Sequence, residues 1–254
     1  MNEGAGAPYA HFTIFFISKI VAQTVKICYA YNITIRGITL KLMNKVIKFL
    51  IYSDLVFLSG FGLIAPIFAV FITGKDIGGS LTAVGIASAC YWIPKCLVQL
   101  PVSRSLDRNP GEKDDYNSTL WGTFAICFIP LLYLLCRHPW HLYLVEGLHG
   151  VAAAFAFPGW IAIFTRHVDR NREAFEWSLY STCVGLGTGV SAAVGGLLAE
   201  KFGFFALFAL VSLISFSAMF FLVHAKKFIL APDGRRGSNI IFQKEDASGF
   251  GAKD

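Results

Sequence analysis

Long apolar stretches separated by short polar connections follow one another along the chain from residue 46 onward. An α-helix needs about 20 apolar residues to cross the roughly 30 Å hydrocarbon core of a bilayer, and each stretch is close to that length. The pattern therefore predicts an all-α membrane protein with six transmembrane helices. The predicted spans are residues 46–71, 81–102, 118–135, 140–164, 175–199 and 204–223.

The composition agrees with a chain embedded in lipid. Its mean hydropathy is +0.58 and only 15% of its residues are charged, which is too apolar for a soluble domain of 254 residues. Prolines occur inside the predicted spans, but neighbouring helices of a membrane bundle bond the backbone groups that such prolines leave free. The prolines therefore do not weaken the prediction.

The basic residues of the connections alternate in number along the chain. Fourteen Lys and Arg residues flank one side of the predicted membrane, whereas the other side has only Lys75, Arg137 and Lys201. Because positive side chains are retained in the cytoplasm, we expect both ends of the helical core to be cytoplasmic and the protein to lie in the cytoplasmic (inner) membrane. The net charge of +6 then reflects topology, and we expect membrane lipids rather than nucleic acid as partners.

The six cysteines of the chain form no C-x-x-C pair, and most of them lie inside the predicted spans. This distribution is typical of small packing residues. We expect neither a metal site nor a cofactor.

The two ends of the chain differ from the six-helix core, which we place at residues 43–227. In the first 42 residues, Lys19, Gln23 and Lys26 fall on one face of an otherwise apolar segment. That arrangement predicts an amphipathic helix at the membrane surface, although a mis-assigned start before Met43 explains the segment equally well. Residues 228–254 are rich in Gly, Ser, Asp and Lys, which predicts a disordered cytoplasmic tail.

A short motif recurs at an offset of 92 residues. The sequence Pro-Ile-Phe-Ala-Val-Phe-Ile-Thr that begins at Pro66 returns as Pro-Gly-Trp-Ile-Ala-Ile-Phe-Thr at Pro158. A second match pairs an acid, a base and a glycine after the second and fifth spans: Asp107, Arg108 and Gly111 with Glu200, Lys201 and Gly203. Because the repeating unit contains three spans, its two copies have opposite orientations, which predicts a 3+3 inverted repeat.

Three motifs resemble those of one transporter family. They are G-x-G-x-x-x-P in the first span, an Asp-Arg pair with a following glycine after the second span, and a glycine-rich fifth span. With the inverted repeat, they make residues 45–226 resemble the N-terminal half of a major facilitator superfamily (MFS) transporter of the drug-antiporter-like branch. By this resemblance Asp107, Arg108 and Gly111 belong to a cytoplasmic gating loop. It also assigns helix packing to Gly60, Gly62, Pro66, Pro158, Gly185, Gly189, Gly195 and Gly196.

The resemblance implies a secondary transporter that moves a small molecule by alternating access, and it implies no enzymatic activity. A full family member has two six-helix halves and this chain contains one, so we expect a homodimer that encloses the path. Spans one and four line the groove in the family, which adds Phe68 and Trp160 as candidate substrate contacts. Glu146 stands where the family pattern has arginine, so drug/proton antiport is not implied.

The candidate ionisable residues inside the spans, where charge is costly and marks functional paths, are Asp54, Lys95, Glu146 and His149. Asp54 and Lys95 lie at similar depths, about 12 and 13 Å from the cytoplasmic face at about 1.5 Å per residue. We expect them to pair, either permanently or until transport breaks the pair, and snorkelling of Lys95 is the alternative. Glu146 and His149 share one helix face, where they either form a proton or cation site or are solvated at the outer interface.

Two other classes of function remain open at this stage. The same fold can serve as a non-transporting scaffold or receptor. An intramembrane serine protease would use Ser191 as nucleophile with His149 or His224 as base. The fit to a protease is poor because Ser191 and His149 belong to different predicted spans and His224 lies at the cytoplasmic end.

Overall fold

The computed structural model describes residues 44–75, 77–109 and 111–230, and in these residues the chain is helical. The predictions for the first 42 residues lie outside the described residues, as does the predicted tail beyond residue 230. The last helix continues through Ile229, two residues into the segment predicted as tail. The helices are α1 (Lys45–Gly62), α2 (Phe68–Thr73), α3 (Leu81–Asp107), α4 (Lys113–Tyr133), α5 (Pro139–His167) and α6 (Glu173–Ile229).

Four helical stretches of the described chain are long and apolar enough to cross a membrane. They are residues 45–73, 81–107, 139–167 and 173–229. Helix α4 is less apolar because it begins Lys-Asp-Asp and carries these charges in its first turn. An integral, multi-pass membrane protein is therefore established, and the count of six crossings stays a prediction.

The first predicted span is not a single helix. Asn44 caps its start, because the Asn44 side chain accepts a hydrogen bond from the Val46 backbone N–H at 3.0 Å. The helix then breaks near Pro66, and a 3-10 turn at Ala65–Ile67 connects α1 to α2. Proline lacks the N–H that helix propagation requires. Pro158, the matching residue of the predicted repeat, lies inside the continuous helix α5, and the inverted repeat itself stays a prediction.

Helix α6 reverses direction at Gly203. This residue has φ 75° and ψ 172°, a backbone conformation that is essentially restricted to glycine. The two arms, residues 173–202 and 204–229, both pack on α1, but in opposite senses. The contacts that show this join Asp54 to Tyr180 and Leu63 to Gly195 for the first arm, and Ser53 to Ala218 and Gly60 to Ile214 for the second.

Close packing depends on glycines that the sequence predicted only in part. Gly60, Gly62 and Gly195 lie against neighbouring helices, as expected, whereas Gly185 and Gly189 have open space where a side chain would stand. Gly196 is open in the same way. Further close approaches occur at glycines to which the sequence analysis assigned no packing role: Gly122 on Ala156, Gly150 on Tyr91, Gly159 on Asp115 and Gly187 on Ser59.

Candidate functional site

A buried carboxylate joins α4 and α5. Glu146 of α5 is only 6% exposed, and its Oε1 accepts a hydrogen bond from the Tyr133 hydroxyl of α4 at 2.6 Å. The other carboxylate oxygen, Oε2, lies 3.7 Å from Nδ1 of His149, one turn further along α5. That imidazole nitrogen is buried and has no hydrogen-bond partner within the described chain. Glu146 and His149 therefore form one polar centre, which we call the outer centre.

Aromatic rings from two further helices cover the outer centre. The His149 ring stacks on Phe61 of α1 with a centroid distance of 5.7 Å, and it packs at a tilt against Tyr91 of α3 with a centroid distance of 4.7 Å. Phe68, a predicted substrate contact, packs on Tyr133 at 5.1 Å. Residues from α1, α3, α4 and α5 thus meet around one carboxylate and one imidazole. Such a group can exchange a proton or bind a cation inside the membrane.

A second carboxylate lies near the middle of α1. Oδ2 of Asp54 accepts a hydrogen bond from the Tyr180 hydroxyl of α6 at 2.9 Å. The Tyr180 ring packs on Trp160 of α5, with 5.0 Å between ring centroids. We call Asp54, Tyr180 and Trp160 the inner centre. Asp54 and Phe61 are two helical turns apart and His149 and Trp160 three turns apart, so each helix presents both centres on one face.

The predicted pair of Asp54 and Lys95 is wrong. Asp54 is bonded to Tyr180, and the Lys95 ammonium instead lies 4.5 to 5.4 Å from the ring centroids of Trp92, Tyr91 and Phe157. Matched depth on consecutive spans does not bring two side chains together, because α3 packs against α5 and α1 packs mainly against α6. Cation–π contacts with these three rings stabilise the Lys95 ammonium in place of an ion pair.

Charged residues meet where α4 begins and α5 ends. The Arg166 guanidinium donates to the fully buried carboxylate of Asp115, and His167 lies 3.5 Å from Glu112. Burial raises the pKa of the Glu112 carboxyl, an effect that His167 and Arg166 oppose. Asp107 and Arg108 of the predicted gating motif are exposed at the end of α3.

Three tyrosines of the two centres were missed by the sequence analysis: Tyr91, Tyr133 and Tyr180. Each contacts an ionisable candidate from a different helix, either through a ring or through a hydroxyl. A tyrosine within an apolar span is an available signal, because its hydroxyl needs a partner when buried. The sequence does not show which carboxylate supplies that partner.

The comparisons with known proteins agree with one another. The family model described as Major Facilitator Superfamily matches residues 53–244. The voltage-gated purine nucleotide uniporter of Homo sapiens is 26% identical over 135 residues, which are 53% of this chain and 31% of that protein. An uncharacterized MFS-type transporter of Methanocaldococcus jannaschii is 24% identical over 144 residues, 57% of this chain and 36% of that protein. The matched part of the chain spans about a third of each relative.

Proposed function

Because the chain belongs to the major facilitator superfamily, we propose that it is a secondary transporter that carries a small solute across the membrane by alternating access. The family match over residues 53–244 and the transporter names of both relatives support transport rather than enzymatic catalysis. The observation that carries the proposal beyond the family is the outer centre, where a carboxylate and an imidazole are enclosed by four helices. Intramembrane groups of this kind mark ion and substrate paths.

The working arrangement in this proposal is six crossings in a 3+3 inverted repeat, with both ends of the core in the cytoplasm. A helix of 57 residues would be about 86 Å long, nearly three times the hydrocarbon thickness, so α6 must be folded to fit a bilayer. Its reversal at Gly203 supplies two crossings of ordinary length. Helix α4 crosses as well, with its charged first turn at the cytoplasmic surface.

Glu146 and His149 serve as the coupling site in this mechanism. A proton on Glu146 would remove its charge while the Tyr133 hydroxyl still has an oxygen to bond, so the site can load and release a proton without losing its hydrogen bond. His149 adds an imidazole beside the same carboxylate, 3.7 Å from its other oxygen. Proton movement through the outer centre would then drive, or be driven by, solute movement.

The human relative is named for purine nucleotides, and we do not extend that substrate to this chain. The two polar centres present the carboxylates of Asp54 and Glu146, and nucleotide phosphates are repelled by carboxylates. The solute is therefore proposed to be something other than a multiply charged anion.

A homodimer of six-helix halves completes the proposal. In this family the solute crosses between two six-helix halves, so a second half is needed to complete the path. Gly185, Gly189 and Gly196 support a second copy, since they leave open space on α6 and small residues allow close helix contact. Phe157 on α5 is 43% exposed, and in this proposal its ring contacts the second copy. Two copies of equal topology would meet about a twofold axis along the membrane normal.

Flux measurements in proteoliposomes test the function. A library of small solutes is loaded outside vesicles with an imposed pH gradient. The wild type is compared with Glu146→Gln and with the control Glu200→Gln, an exposed carboxylate near the end of the first arm of α6. We expect gradient-dependent uptake of at least one solute by the wild type and the control, and loss of the gradient dependence in Glu146→Gln. Solute binding without any flux would instead favour the scaffold or receptor class.

Cross-linking tests the dimer separately. Single cysteines at Phe157 or Gly189, in a background without the native cysteines, should link two copies in native membranes. The yield should change when a transported solute is added. A protein that stays monomeric in lipid and still transports would refute the dimer while leaving the transport function intact.

A further inference from the structure

One side of α3 is polar over most of its length. Residues three or four positions apart lie on the same side of an α-helix, and on α3 such a set carries hydroxyl, amide and ammonium groups. We call this side the polar face of α3, and its residues are Ser88, Tyr91, Lys95, Gln99 and Ser103. The opposite side carries large apolar residues that are 43% to 69% exposed: Ile86, Ile93, Leu97 and Leu100. The apolar side suits lipid, whereas a polar side within a membrane suits a path for a solute.

The Lys95 ammonium lies halfway along the polar face of α3 without a negatively charged partner. Within the described ranges, no hydrogen bond or ion pair joins it to another residue, and its contacts are the rings of Tyr91, Trp92 and Phe157. Ring faces attract a cation, but a carboxylate oxygen is a much stronger hydrogen-bond acceptor for it. The N–H donors of Lys95 are therefore available to an anionic group from outside these helices.

The surroundings of Lys95 are open on one side. Lys95 itself is half-buried, Trp92 is 55% exposed and Phe157 is 43% exposed, so a solute can reach the ammonium and the two rings together. Gln99 follows one helical turn after Lys95 on the polar face of α3, and side chains four residues apart are neighbours on a helix surface. Its amide N–H groups add a second set of donors at the same place.

The Tyr91 ring connects this site with the outer centre. Its centroid lies 5.4 Å from the Lys95 ammonium and 4.7 Å from the centroid of the His149 ring. The Glu146 carboxylate lies directly beyond His149. A solute at Lys95 would therefore be one aromatic ring away from the proposed coupling site, where a carboxylate repels additional negative charge.

We propose that Lys95 binds the carboxylate of a monocarboxylate solute, with Gln99 as a second donor and the exposed rings of Trp92 and Phe157 against the apolar body of the solute. The inference rests on the proposed transport function and names the class of solute. A single ammonium balances a single negative charge, and the groups around it are aromatic rings rather than further cations. A small monocarboxylate with an apolar body therefore fits this site better than a phosphate or a dicarboxylate does.

Binding is tested on the full chain in detergent, with no requirement for flux. The probes are benzoate and butyrate, and the controls are the uncharged amides benzamide and butyramide at equal ionic strength. We expect at least one of the two acids to raise the melting temperature in a saturable way, and its amide to have no effect at the same concentrations. Equal stabilisation by an acid and its amide, or stabilisation by neither acid, would overturn the proposal. Tighter binding of the dicarboxylate terephthalate than of benzoate would overturn the assigned class of solute.

Variants locate the site. Lys95→Gln removes the positive charge and should raise the Kd of the bound acid about tenfold or more. Lys95→Arg keeps the charge and should raise the Kd less. The matched control is Lys201→Gln, which changes an exposed lysine on the first arm of α6 and should leave the Kd unchanged. A Kd that is the same in Lys95→Gln and in the wild type would place the acid elsewhere and refute the assignment.

Cysteine labelling tests the site without removing Lys95. In a background without native cysteines, Gln99→Cys on the polar face of α3 should react with a charged, water-soluble thiol reagent in proteoliposomes, and the bound acid should slow this reaction. The control is Leu97→Cys on the opposite, apolar side, which should react slowly and show no effect of the acid. Equal reaction of the two cysteines, or no protection of Gln99→Cys by the acid, would show that the polar face of α3 is not the solute site.

The outcome separates this inference from the transport proposal. Binding of a monocarboxylate that depends on Lys95, in a protein without flux of any solute, would keep the binding site and reject the transporter. Flux of neutral or cationic solutes, with no binding of either acid, would keep the transporter and reject the monocarboxylate site.

Discussion

Asp54 and Tyr180 form a single hydrogen-bonded unit at the residue scale, with Lys95 outside it. Tyr180→Phe leaves the carboxylate without its donor, and Asp54→Leu leaves the hydroxyl without its acceptor, whereas the double variant removes both groups. We expect Asp54→Leu and Tyr180→Phe to show an interaction energy of about 0.5–3 kcal/mol, measured as free energies of unfolding in mixed micelles. Asp54→Leu and Lys95→Met should be additive within about 0.5 kcal/mol. A larger interaction energy of Asp54 with Lys95 than with Tyr180 would instead support the Asp54–Lys95 ion pair.

Tyr133 is the donor on which the buried Glu146 carboxylate depends. Tyr133→Phe should lower the free energy of unfolding by about 1.5–3 kcal/mol, because a hydrogen bond to a charged group is lost inside the protein. Tyr143→Phe is the matched control, since Tyr143 lies on α5 and its hydroxyl makes no hydrogen bond within the described residues. Equal losses in the two variants would show that the Tyr133 hydroxyl contributes nothing specific.

At the scale of the helical elements, Gly203 decides that α6 becomes two antiparallel arms. Gly203→Ala should destabilise the protein by about 1–3 kcal/mol through backbone strain alone, because a side chain there would meet no atom within 4 Å. Gly85→Ala is the control, since it has the same open space but lies inside α3 and should be neutral or slightly stabilising. Thermal unfolding in detergent distinguishes the two variants. Similar melting temperatures would mean that the reversal does not need glycine.

The contact between α3 and α5 depends on Gly150, where a Cβ atom would overlap the backbone carbonyl of Tyr91. Gly150→Ala should therefore cost about 1–3 kcal/mol by forcing the helices apart, and it should displace the Tyr91 ring from His149. Gly147→Ala lies one turn earlier on α5, where its Cβ would be 3.9 Å from the Cys90 carbonyl, and should be tolerated. Melting temperatures and the accessibility of His149 to a modifying reagent give the measurement. If Gly150→Ala is as stable as Gly147→Ala, the close approach is not required.

At the scale of the whole molecule, the arrangement of positive charges predicts the orientation in the membrane. In a background without native cysteines, single cysteines in place of Lys75, Arg137 and Lys201 should react with a membrane-impermeant reagent from outside. A cysteine in place of Arg170 should react only after the membrane is opened. External labelling at Arg170 would reverse the proposed topology.

The hydrophobic pattern by itself determined that the chain is a helical membrane protein, and its motifs identified the family, as the match over residues 53–244 confirms. These features follow from local chemistry, because the bilayer requires long apolar helices with satisfied backbone bonds. The pattern located the starts of α3 and α5 within one residue, whereas α3 ends at Asp107 and α5 at His167, both beyond the predicted spans.

Only the tertiary structure decided which side chains meet. The depth of Asp54 along its helix was available from the sequence, but its partner depended on which helix packs beside α1 and on how that helix is rotated. The same holds for Glu146 with Tyr133 and for Asp115 with Arg166, whose members come from different helices. Contacts between helices depend on small residues such as Gly150 and Gly159, which fix distance and rotation over many positions at once. Depth in the bilayer is set by position within one segment, whereas contact is set by the packing of several.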